Sequence, residues 1–202
     1  MKLDEIALKA SVQIVREGPA AFRVMRPVEP LRGRIVSSRA SWFGGTVDKH
    51  ALRTLALAWA FAARSPGTIT YLPFDTEAAD SEVAVLDLVL IHHALQFKPS
   101  RWKRIRGRLG PGRIETIALP ESAYRGGKNP APSHYRENRD RVASVVAANT
   151  LVLTGSRVAF ERDLANLRDI VENGPAEKAE HPERHLCIDL AERLIHLEYI
   201  GR

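Results

Sequence analysis

The sequence contains a single cysteine, Cys187, so an internal disulfide is excluded. A reducing compartment is the simplest expectation for such a chain. The longest apolar run, residues 83–90, is interrupted by Asp87 and is too short to span a bilayer. Residues 1–5 show no apolar signal-peptide stretch. We therefore expect a soluble cytoplasmic protein without a membrane partner.

The chain also lacks the short motifs of common catalytic and cofactor sites. It contains neither G-x-x-x-x-G-K-[ST] nor G-x-G-x-x-G, and neither C-x-x-C nor H-E-x-x-H. A nucleophile elbow and the kinase signatures are missing as well. The sequence consequently leaves the cofactor unknown and the choice between enzyme and binding protein open.

What the chain does have is a concentrated positive charge. Its 202 residues carry 30 Lys and Arg against 24 Asp and Glu, a net charge of +6. In residues 98–113, seven of sixteen side chains are Lys or Arg and none is acidic. Such a field attracts polyanions over a Debye length of about 8–10 Å.

The order of predicted elements indicates the fold class. Strands are predicted at residues 21–25, 34–38, 68–72, 113–119 and 151–153, and helices near residues 3–17, 46–64, 142–149, 160–171 and 182–202. Residues 81–97 fit either type, and their length favours a helix. Residues 34–72 then form a βαβ unit. We predict a three-layer α/β fold with a mostly parallel sheet flanked by helices and a helical C-terminal portion.

Two units follow from this assignment. Residues 1–175 are predicted to form the α/β domain. Residues 176–202 are predicted to form a C-terminal helix that packs on the domain or lies at the interface of a homo-oligomer. This second prediction rests on an apolar stripe at helical spacing, formed by Leu186, Leu190, Leu194 and Leu197.

The basic stretch is the first candidate site. On a helix opened by Pro99, the arginines at 101, 104 and 108 share one face. The opposite face carries Trp102, Ile105 and Leu109, which would anchor it. One guanidinium group can donate to two phosphate oxygens at once, so the stretch predicts DNA or RNA binding. The alternative is a solvated basic face without a partner. The candidate residues are Arg101, Lys103, Arg104, Arg106, Arg108, Arg113, Arg125 and Lys128.

The second candidate site is the segment 37–46 between a predicted strand and a predicted helix. Its hydroxyls, glycines and following helix N-terminus could cradle the phosphate of a nucleotide ligand. The alternative is a tight turn that needs glycine. The candidate phosphate-binding residues are Ser37, Ser38, Arg39, Ser41, Gly44, Gly45 and Thr46.

Histidines give two further hypotheses. His92 and His93 are candidate catalytic bases if Asp75, Asp80 or Asp87 assists, the alternative being a structural hydrogen bond.

His181 and His185 have an i, i+4 spacing that suits a metal on a helix. However, Pro182 places His181 outside the predicted helix, and Cys187 points elsewhere on the helical wheel. We therefore predict no metal site.

Two functions remain open. The first is a nucleic-acid (polyanion) binding protein, with or without a phosphate-directed activity. The second is an enzyme that acts on a nucleotide or phosphorylated small molecule through residues 37–46. A basic face continuous with residues 125–141 would favour the first. A pocket joining Ser38, Arg39 and His92 or His93 would favour the second.

Overall fold

A computed structural model describes residues 6–37, 42–75, 84–126, 140–174, 180–181 and 185–200. Seven strands form a large sheet: β1 (Ala7–Glu17), β2 (Ala20–Pro27), β5 (Thr68–Leu72), β6 (Asp87–His92), β7 (Arg113–Ala118), β8 (Ala143–Val146) and β9 (Thr150–Gly155). Their order is β7-β1-β2-β5-β6-β9-β8. Four strands form a small sheet: β3 (Gly33–Ser37), β4 (Trp42–Val47), β10 (His185–Asp189) and β11 (Leu194–Tyr199). Their order is β10-β11-β4-β3.

The large sheet is mixed, so the prediction of a mostly parallel sheet is wrong. Strands β2–β5 and β6–β9 pair in parallel, and the other four neighbours in the described sheet are antiparallel. For β1 and β2, the antiparallel pairing has a local cause, because a two-residue turn joins the two strands directly. Gly18 adopts a φ of +61° there, and such tight turns force antiparallel pairing.

The predicted βαβ unit is also absent from the described fold. β3 lies in the small sheet and β5 in the large one. The helix between them, α1 (Lys49–Arg64), therefore links two sheets rather than two strands of one sheet.

The two long helices were predicted correctly and pack between the sheets. α1 contacts β5, β6 and β4, while α3 (Arg157–Glu172) contacts β9 and β10. Residues on all sides of α1 are buried, as expected for a helix covered on every side. The two helices meet where Trp59 donates a hydrogen bond of 2.9 Å to the Phe160 carbonyl.

The prediction of a C-terminal helix is wrong, because residues 185–199 form the β10–β11 hairpin. Buried residues alternate with exposed or partly buried ones along both strands. Leu186, Ile188 and Ile195 therefore face the core from a sheet. Residues 182–184 lie outside the described part of the chain.

Three other segments that were predicted to be helical contain strands instead. Residues 7–17 form β1, residues 87–92 form β6 and residues 143–146 form β8. None of the helices in the described ranges is long and apolar enough to cross a membrane.

The outer face of the large sheet carries a second core. A short helix, α2 (Trp102–Arg106), covers it after a 3-10 turn at Pro99–Arg101, as the sequence predicts. Trp102 and Ile105 are fully buried there, and the Trp102 ring meets Tyr71 edge to face at 5.0 Å. The basic stretch is therefore fixed to the body of the protein.

Candidate anion-binding cavity

The arginines of the basic stretch are largely committed to internal ion pairs. Glu17 of β1, whose side chain is 13% exposed, pairs with Arg101 at 3.5 Å and with Arg104 at 2.8 Å. Arg108 donates to the Arg16 carbonyl, and Arg113 pairs with Glu115 on its own strand. Arg101, Arg104 and Arg108 therefore fasten the stretch to β1, whereas Arg113 is paired within β7 itself.

Arg106 belongs to a network beneath α2. It donates to Asp87 at 3.4 Å and to the Thr150 hydroxyl at 3.2 Å. Trp102 donates to the same hydroxyl, and Tyr71 donates to Asp87 at 2.7 Å. Burial, reinforced by the Asp87 carboxylate, raises the pKa of Tyr71. Arg106 thus has two partners beneath α2, although 32% of its side chain remains exposed.

The structure does not bring Arg125 together with the basic stretch. The 3-10 turn Glu121–Tyr124 that precedes it packs against α1 and α3. These helices lie on the opposite face of the large sheet from α2. Lys128 lies outside the described residues, as does most of the segment 125–141 that would extend a basic face.

The segment 37–46 is not a strand-to-helix loop. Residues 42–47 are β4, and α1 begins after Asp48, whose carboxylate accepts a hydrogen bond from the Ala51 amide at 2.7 Å. Gly45 is required by packing, since a Cβ there would lie 2.6 Å from the Arg34 carbonyl oxygen. Of the predicted phosphate-binding residues, Thr46 lines a cavity. Ser38, Arg39 and Ser41 lie outside the described residues.

His92 and His93 stand at the end of β6, and neither lines the cavity to which Thr46 contributes. The His92 ring accepts a hydrogen bond from the Ala94 amide at 3.2 Å and thereby caps a 3-10 turn. Burial lowers the pKa of His92, and neighbouring His93 lowers it further. Asp87, one of the expected assisting carboxylates, lies at the opposite end of β6. The geometry therefore fits the structural alternative.

A cavity of about 700 Å³ opens where β3 starts, β4 ends and α1 begins. Its lining brings four cationic side chains together from α1, β3 and the residue before β3. The described lining consists of Arg32, Gly33, Arg34, Thr46, Asp48, Lys49, His50, Arg53, Asp75 and Ile200.

The electrostatics of the cavity favour an anion. Four Lys and Arg side chains face two carboxylates, Asp48 and Asp75, and the positive end of the α1 dipole adds to the excess. Among the described residues, no carboxylate lies within 4 Å of any of these four cations. The Nε of Arg53 is buried and, within the same ranges, has no hydrogen-bond partner. Because Asp48 occupies the helix cap, side-chain guanidinium groups must supply most of the binding to an anion.

Sequence reasoning missed most of this cavity. The signals present were Arg32 and Arg34 two residues apart, and Lys49 and Arg53 one helical turn apart. Each pair is unremarkable by itself. The β3–β4 pairing, in which Arg34 lies opposite Thr46, brings the two pairs to one place.

A second cluster lies on the small sheet. Donor atoms of His185, Cys187 and His196 all lie within 4.8 Å of one another. His181 lines the cleft beside His185 and Cys187 but does not belong to this cluster. Burial and the adjacent His185 lower the pKa of His196, whereas Glu198 opposes the shift.

Comparison with known proteins gives no relative to guide the assignment. The chain matches no protein-family model, no curated protein and no solved structure.

Proposed function

We propose that this protein binds a phosphate-bearing small molecule of nucleotide size in the cavity at the start of α1. The observation that carries the proposal is the set of four cations without a carboxylate partner among the described residues. The cavity volume of about 700 Å³ suits such a ligand, since small-molecule sites measure roughly 300–1,000 Å³.

Phosphate fits this lining better than a single carboxylate does. Three of the cations are arginines, whose planar guanidinium groups present paired donors to phosphate oxygens. A di- or triphosphate offers enough oxygens to engage all three. If the ligand also reacts, His50 and Asp75 are two described lining residues whose side chains could transfer a proton.

Isothermal titration with ATP, inorganic pyrophosphate and adenosine tests the proposal. We expect ATP and pyrophosphate to bind and adenosine to bind much more weakly, because the phosphates supply the contacts. Arg53→Met keeps the aliphatic stem but removes a charge-assisted hydrogen bond of about 1.5–3 kcal/mol. The ATP dissociation constant should rise about 10- to 100-fold.

The matched control is Arg157→Gln, which removes an equal charge from the exposed face of α3. It should leave ATP binding nearly unchanged. Equal binding of adenosine and ATP, or equal effects of the two substitutions, would contradict the proposal.

Nucleic-acid binding by the basic stretch is the second candidate. It is favoured by exposed cations on a segment that Trp102 and Ile105 fix to the sheet. Lys98 and Lys103 are the best probes, because neither has an ion-pair partner among the described residues. Replacing Arg101 and Arg104 instead would leave Glu17 unpaired and disturb the fold.

The salt dependence of binding tests this second candidate. Labelled single-stranded DNA and RNA are titrated at several salt concentrations with the wild type and with Lys98→Gln/Lys103→Gln. If both lysines contact phosphates, the slope of log affinity against log salt should fall by about 1.4. An unchanged slope, or no binding by the wild type at low salt, would reduce the stretch to a structural element.

A further inference from the structure

The register of the C-terminal hairpin places three metal-binding side chains on one face of the small sheet. Cys187 and His196 are direct partners across β10 and β11. His185 precedes Cys187 by two residues, so both side chains leave β10 on the same side. Their donor atoms lie within 4.8 Å of one another.

The orientation of the His196 ring adds an independent observation. Its Nδ1 faces the Cys187 sulfur at 4.0 Å, while its Nε2 lies 4.0 Å from the Glu198 carboxylate. A histidine that ligates a metal usually turns its other ring nitrogen to a carboxylate or carbonyl, which fixes the ring and strengthens the ligand. Trp42 lies against the same ring at 5.8 Å and supplies an apolar wall.

We propose that His185, Cys187 and His196 form a binding site for Zn²⁺, with Glu198 orienting His196. Two imidazoles and one thiolate match the ligand preference of Zn²⁺. The His185 and His196 rings stack at 3.8 Å, so at least one of them must rotate for all three donors to reach bonding distance, about 2.0–2.3 Å from the ion. On binding, Cys187 releases its thiol proton to solvent and the sulfur becomes a thiolate ligand. Three protein ligands leave one tetrahedral position for water or a ligand atom.

This site shares no residue with the cavity at the start of α1. The proposal therefore stands or fails independently of phosphate binding. It also departs from the sequence analysis, which predicted no metal site and considered His181 in place of His196.

Titration of tag-free, metal-free protein with Co²⁺ tests the site. Co²⁺ reports a bound thiolate through a ligand-to-metal charge-transfer absorption, and Zn²⁺ should displace it. We expect one ion per chain, loss of the charge-transfer band in Cys187→Ser, and an affinity loss of at least about tenfold in His196→Ala. Glu198→Gln should weaken binding about 10- to 100-fold while retaining the band, as expected for a residue that positions a ligand.

The matched control is His93→Gln, an exposed histidine at the end of β6 in the large sheet. It should bind Co²⁺ like the wild type. Far-ultraviolet circular dichroism establishes that each variant is folded, and Cys187→Ser preserves the side-chain volume. A wild type without the charge-transfer band, a band that persists in Cys187→Ser, or equal affinities for His196→Ala and His93→Gln would overturn the proposal.

Discussion

Asp163 shows how one buried side chain couples stability to pH. It lies on α3 with 6% of its surface exposed, and burial, reinforced by Asp189, raises its pKa to about 7. In the unfolded chain the carboxyl titrates near its usual value of 3.8. The folded state therefore holds a proton that the unfolded state loses between these values. Stability consequently falls as the pH rises through this window.

Substitution Asp163→Asn removes this titration. The free energy of unfolding of the wild type should fall by roughly 2–3 kcal/mol between about pH 5 and about pH 8, and that of the variant should change much less. Urea unfolding of the metal-free protein at the two pH values measures the difference. Glu192→Gln, which removes an exposed carboxyl, should retain the wild-type dependence. Equal pH dependence in wild type and Asp163→Asn would contradict the account.

The roles of single arginines were not predictable from the sequence. Arg104 meets Glu17 across 87 residues, and Arg106 meets Asp87 across 19. A run of basic residues indicates charge density but not which charges a distant carboxylate neutralises. The same holds for His196, whose partner Cys187 is set by strand register. The candidate cavity and the metal cluster both depend on strand pairing between residues that are distant in sequence.

At the scale of elements, helices α1 and α3 were predicted because their apolar residues recur with full helical periodicity. The C-terminal hairpin was missed because a spacing of four residues fits both periods. Leu186 and Leu190 lie one helical turn apart, but they also lie on one face of a strand. Ile188 between them is equally buried, and this alternation was the signal that indicated a strand. Similar ambiguity affected β1, where Leu8, Ala10 and Val12 alternate.

Strand β4 offers a test of the corrected structure. A Cβ at Gly45 would lie 2.6 Å from the Arg34 carbonyl oxygen and 2.7 Å from Leu197 Cδ2, so Gly45→Ala should crowd the small sheet. We expect its free energy of unfolding to fall by roughly 1–3 kcal/mol. Gly67→Ala is the control, since its Cβ meets open space. Equal stability of the two variants would favour the predicted strand-to-helix loop over residues 37–46 instead of strand β4.

At the scale of the whole molecule, both proposed sites draw on one row of residues across the small sheet. Arg34, Thr46, Glu198 and His185 are in register across its four strands. Thr46 lines the cavity, and Glu198 and His185 belong to the proposed metal site. Two strand spacings of about 4.8 Å separate Thr46 from His185. The basic stretch, by contrast, covers the far face of the large sheet.

The central claim is that the cavity at the start of α1, and not the basic stretch, takes a phosphate-bearing small molecule. It is tested most directly by titrating ATP into two variants that lose the same charge. One carries Arg32→Gln, Arg34→Gln and Arg53→Gln, and the other carries Lys98→Gln, Lys103→Gln and Arg113→Gln. We predict that the first loses at least about 100-fold in affinity, because several charge-assisted contacts disappear, while the second stays within about threefold of the wild type. Equal losses in both variants, or a larger loss in the second, would contradict the account.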